Sequence, residues 1–256
     1  MLIRAGDTQV TVPSGTELKG NRIRSLDSLP ARLIGVFRHP RRTFEAVSAR
    51  PDWGLALLLT TVVAAAAGAG VFATGVGRLA LLDEWERSAA AFGQPVDDAG
   101  YARLQKLSEN GAVYGIGRAI VTGPVALTAV ALLVFGVFRR QRPDTRLTQV
   151  LAVVVYSGVL LTLRQLVAAP AVLIRETTAS ATALGVWFPL FDEASPVARL
   201  LALVDLFVLW WLVVLAIGVS VLYGVRALRT AAAFVGLYLL FAVVMAATMA
   251  ALGGTP

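Results

Sequence analysis

Apolar residues in this chain gather into five long runs divided by short polar stretches. The runs cover about 53–74, 111–138, 147–173, 198–224 and 231–252. Each holds roughly 20 or more residues, the length an α-helix needs to cross a hydrocarbon core of about 30 Å. None alternates in a strand-like way, and a water-soluble helix has no need to be apolar on every side. The pattern predicts an all-α fold: a polytopic membrane helical bundle with five transmembrane helices and short interfacial helices. Residues 1–27 are polar and mixed, and read as a flexible cytoplasmic tail. Residues 28–252 read as one membrane domain.

Between the runs the spacing changes. Leu29, Leu33, Val36 and Phe37 share one face of a predicted helix over 28–38, with Arg32 and Arg38 placed off that face. Pro40 interrupts it, and a second short helix carries Phe44 and Val47. Basic residues beside an apolar stripe suit an interfacial helix among headgroups, and packing beneath the bundle suits the same pattern. The longest connection, 75–110, predicts helices over Leu79–Phe92 and Ala99–Glu109. Its carboxylates read as a solvated face rather than a cation site. Three rows of small residues recur at every fourth position: Ala65, Ala69, Ala73; Gly111, Gly115, Ala119, Gly123; and Ala242, Ala246, Ala250. Such rows allow helices to approach closely in lipid. Pro124 and Pro170 fall inside predicted spans, where each removes a backbone donor.

Composition agrees with the pattern: the chain is 57% hydrophobic and its mean hydropathy is +0.73. It has no Cys and one His, His39. That excludes disulfides, thiolate sites, a Cys nucleophile and any site needing two imidazoles. No phosphate-cradling glycine loop and no nucleophile elbow is present, so the chain reads as non-enzymatic, with no metal and no cofactor. The net charge of +7 is distributed unevenly. Of 23 Lys and Arg, fifteen fall on the side where the chain starts and seven on the far side, with Arg164 inside a span. The positive-inside rule then predicts a multi-pass cell-membrane protein with a cytoplasmic amino terminus and an external carboxyl terminus. Arg38, Arg41, Arg42, Arg139 and Arg140 are expected to meet anionic headgroups. Stacking aromatics are not interleaved with the basic residues, so no nucleic acid is expected.

Two charges remain, Arg164 in the third run and Asp205 in the fourth. Counted along consecutive antiparallel helices, both fall roughly 10–14 Å below the far interface. Opposite charges at one depth should meet, because an unpaired ion there costs about 2.5–3.5 kcal/mol on translocon scales. The pair reads as a structural staple, with a transport or lipid-handling site as the alternative. Ser157, Thr162 and Gln165 are candidates to extend a polar network around it.

Three stretches carry a family resemblance: HPRRTFEAVSARPDW (His39–Trp53), VLAVVVYSGVLLTLRQLV (Val150–Val167) and LVDLFVLWWLVVLAIGVSVLY (Leu203–Tyr223). They resemble the Yip-type domain family of integral membrane proteins, the Ypt/Rab-interacting-protein relatives, in its prokaryotic branch. The resemblance covers about Leu29–Leu252. It implies a five-helix membrane protein without enzymatic activity. The three small-residue rows, more than a lone five-helix bundle needs, point to a scaffold or accessory subunit of a transport or trafficking assembly, with a membrane-protein partner or a second copy docked on one of them. Eukaryotic relatives bind Rab-type GTPases through a cytosolic amino-terminal region. Residues 1–27 carry no matching motif, so that role does not transfer.

Overall fold

The computed structural model describes residues 28–94, 96–176, 181–187 and 195–252, and helices dominate them. The expected tail, 1–27, lies outside the described residues. Ten α-helices are described: α1 Leu29–Arg38, α2 Pro40–Ala49, α3 Gly54–Phe72, α4 Gly75–Ala91, α5 Asp98–Ser108, α6 Gly111–Phe138, α7 Leu147–Arg175, α8 Pro196–Leu203, α9 Leu206–Tyr223 and α10 Ala227–Leu252. Helices α3, α6, α7, α9 and α10 are long and apolar enough to cross a membrane.

The core forms around α7. Ala152, Val153, Val154 and Val155 are compact and buried, and Tyr156, Ser157, Gly158 and Leu160 continue the buried stretch. Compact β-branched side chains let neighbours close on it from several directions. Helix α9 comes against it through Gly218, where an added Cβ would stand 2.5 Å from a Val153 methyl and 3.3 Å from the Phe44 ring. Phe44 and Val47 of α2 complete this core from the starting side. The other spans are far less covered by protein, and their exposed Leu, Val, Ile and Phe side chains face lipid, which replaces a protein partner at no hydrophobic cost.

Pro40 separates α1 from α2, and its preceding residue His39 leaves the helical region with φ −143° and ψ 61°. Helix α2 is packed beneath the bundle with Arg38, Arg41 and Arg42 exposed around it. Arg32 corrects the sequence reading: it is buried, donating to the Arg50 carbonyl at 3.3 Å and lying 3.9 Å from the Asp52 carboxylate. Two further bonds tie this layer to α7, from Gln149 to the Ser48 carbonyl at 3.1 Å and from the Tyr156 hydroxyl to the Asp52 carbonyl at 3.2 Å.

On the far side, α4 starts four residues before its expected position because Thr74 caps it, accepting from the Gly77 N–H at 2.9 Å. The expected first row of small residues is rotated. Gly68, not Ala65 or Ala73, is buried where α3 crosses α6, and a Cβ on Gly115 would fall 2.7 Å from its carbonyl carbon. A Cβ on Gly111 would fall 2.7 Å from the Phe72 carbonyl oxygen. Ala69 meets this crossing through its backbone nitrogen. Ala119 and Gly123 belong to a cleft instead. In α10, Ala242 and Ala246 are buried and Ala250 is exposed.

Candidate functional site

The fourth apolar run is not one helix. It breaks into α8 and α9, with Val204 extended between them and Asp205 standing outside α9 as its N-cap. Asp205 is therefore corrected from a charge inside a helix to the residue that caps one. Measured from the starting side, Arg164 and Asp205 lie about 25–27 Å along their helices. Counted from the same side, both therefore stand at one level, as opposite charges on antiparallel neighbours must if they are to meet.

The Asp205 carboxylate gathers four donors from three places. Its Oδ1 accepts from the Phe207 and Val208 N–H groups at 2.8 and 3.3 Å, two of the donors that a helix start leaves without an intrahelical partner. Its Oδ2 accepts from Arg164 Nε at 2.6 Å and from the Thr182 hydroxyl at 2.6 Å. Its own N–H donates to the Tyr238 hydroxyl at 3.0 Å. Tyr238 in turn donates to the Leu203 carbonyl at 2.7 Å. The backbone beside it is satisfied by an isolated antiparallel bridge between Ala183 and Asp205. There Leu184 N–H donates to Val204 at 2.8 Å and Leu206 N–H donates to Thr182 at 3.1 Å. Non-helical backbone at membrane depth is tolerated when its polar groups are paired inside protein, and here they are.

The carboxylate is electrostatically well placed. It faces a guanidinium and the positive end of the α9 dipole together. Asp205 is buried, while the Arg164 side chain is 36% exposed.

The three other polar candidates point elsewhere. Ser157 donates to the Val154 carbonyl at 2.8 Å and accepts from Trp211 Nε1 at 3.2 Å. Gln165 donates to the Ala64 carbonyl of α3 at 3.0 Å. Thr162 lines the cleft between α3, α6 and α7. These bonds join α7 to α9 and to α3, and neither reaches the ion pair.

Thr182 and Tyr238 were missed by sequence reasoning. Thr182 lies in a polar connection with many hydroxyls, where nothing marks one of them. Tyr238 did carry a signal: it falls within the fifth apolar run rather than at its end, and a buried tyrosine hydroxyl needs a partner.

The Yip1 domain family model matches residues 34–249. The chain belongs to the Yip1 domain family. No curated protein and no solved structure matches it. The matched Yip1 domain takes in Arg164, Thr182, Asp205 and Tyr238 together, so the polar hub is part of the domain itself. The domain is a multi-pass, membrane-embedded helical bundle in contact with lipid.

Proposed function

We propose that this Yip1 domain is a non-enzymatic scaffold or accessory subunit of a membrane assembly, and that Arg164 and Asp205 form a clasp that fixes its helices. One observation carries the reading: the lone-pair positions of the Asp205 carboxylate are taken by Arg164, Thr182, Phe207 and Val208 of the same chain. An ionised carboxylate offers about four such positions. A group so occupied holds structure together and leaves little capacity for a cargo ion or a proton relay. The large apolar faces of α3, α6 and α10 supply the surface on which a membrane partner or second copy would dock.

Crosslinking in native membranes followed by purification in mild detergent tests the scaffold. The expected product is a complex with a membrane protein or a second copy. A monodisperse monomer with nothing attached would count against it.

A small transporter or lipid-handling protein is the competing reading, and the partial exposure of Arg164 favours it. Its discriminating result is a folded Arg164→Leu, Asp205→Leu double variant that has lost flux in vesicles.

The amino terminus is placed in the cytoplasm and the carboxyl terminus outside, on the strength of the basic turns at Arg139–Arg146 and Arg226–Arg229. The chain has no Cys, so a single Asp144→Cys change reports on orientation directly. In intact cells a membrane-impermeant maleimide is expected to leave it unlabelled, and labelling after lysis alone confirms the site is reactive. Labelling in intact cells would reverse the orientation.

A further inference from the structure

Helices α3 and α6 touch backbone to backbone at Gly68 and Gly115 and then part. Toward the starting side a half-open cleft of about 150 Å³ lies between them and α7, with Trp211 of α9 among its lining residues. Leu57, Ala64, Leu127 and Leu161 form much of its wall, and among the described residues no charged side chain lines it.

Its polar lining is largely turned inward. Thr60 donates to the Ala56 carbonyl at 2.9 Å, Gln165 to Ala64 at 3.0 Å and Trp211 to Ser157 at 3.2 Å. Thr61 and Thr162 complete the polar part of the lining, and the rest is hydrocarbon and backbone. Gly123 and Ala126, on the lipid side of α6, are exposed and stand at its edge.

Depth decides the occupant. Gly158 and Trp211 lie about 17 and 18 Å from the starting-side ends of their helices, near the middle of a core of about 30 Å. The medium at that level is lipid hydrocarbon, so it is hydrocarbon that meets a half-open, mainly apolar cleft there. We propose that the cleft holds a mid-chain segment of one acyl chain of a bilayer phospholipid, wedged between α3 and α6 as an intramembrane ligand distinct from the lipid that coats the outer faces. This site is separate from the Arg164–Asp205 clasp and does not rest on the scaffold reading.

Two neighbouring tryptophans allow a test with an internal control. Trp211 lines the cleft, whereas Trp210 is exposed on the outer face. Two single-tryptophan chains, one keeping Trp211 and one Trp210, are placed in vesicles of phosphatidylcholine brominated at mid-chain. Bromine quenches indole fluorescence on contact, so both are expected to be quenched. Gly123→Leu, at a position with nothing within 4 Å of an added Cβ, is expected to remove most of the quenching of Trp211 and leave Trp210 unchanged. Ala126→Leu is expected to do the same. Gly117→Leu, equally open but outside the cleft, is expected to change neither. The proposal is overturned if Trp211 is unquenched in the parent chain, if quenching survives both cleft-filling variants, or if Gly117→Leu removes it equally.

Discussion

Asp205→Leu is expected to lower unfolding free energy by about 3–5 kcal/mol, the range for stranding one member of a buried pair. The change removes more than a salt bridge. It takes away the N-cap of α9, leaves the Phe207 and Val208 N–H groups without their acceptor, and releases Thr182. Arg164→Leu should cost less, roughly 1.5–3 kcal/mol as a charge-assisted bond, because this side chain is partly exposed and its loss leaves the cap intact. The double variant should be less damaged than the two losses added together, with a coupling of about 1–3 kcal/mol. Denaturation of all four chains in detergent measures this cycle. Strict additivity would show that the two groups touch without stabilising each other, and the clasp would be lost from the account.

The second large effect belongs to a glycine. Gly115→Ala is expected to destabilise the bundle by about 3 kcal/mol, the upper end of the usual cost of overpacking. The added carbon would meet the Gly68 carbonyl carbon at 2.7 Å, its oxygen at 2.8 Å and the Ala69 nitrogen at 3.0 Å. All three are backbone atoms, so no rotamer change relieves the contact and α3 and α6 must separate. Gly123→Ala, on the same helix and in the same sequence row, meets nothing within 4 Å and should stay within about 0.5 kcal/mol of the parent. Melting temperatures of the two variants in one detergent decide the matter. Equal behaviour would mean that the crossing does not hold the bundle together.

That contrast also shows where sequence reading reaches and where it stops. The five spans were legible because a bilayer imposes a length and a composition that few other environments demand. The small-residue rows marked which helices approach closely, but a row read at every fourth residue does not say which of its members lies at the crossing. Gly111 and Gly115 do, Gly123 does not, and on α3 the decisive residue is Gly68, one position off the row. Asp205 was legible as an anomaly and misread in kind. A carboxylate among apolar residues looks like a charge inside a helix, yet Asp is also a preferred N-cap. Ser195 and Pro196 mark where α8 opens, but the apolar residues that follow run on past Val204 without a pause, so only Asp205 itself signals the break. The contact of Asp205 with Arg164 followed from topology, whereas Thr182 and Tyr238 arrive from segments whose placement no local pattern specifies.

The cap at Asp205 has a geometric consequence for the surrounding lipid. Helix α9 has 18 residues and α7 beside it has 29, which makes them about 27 and 43 Å long. Side by side from one starting side, the two do not reach the same level, and α8 with the paired backbone at 182–184 takes up the step beyond α9. Where lipid rather than α8 meets that step, thinning or tilt of the surrounding bilayer is the expected response, an asymmetry that traces to one capping residue.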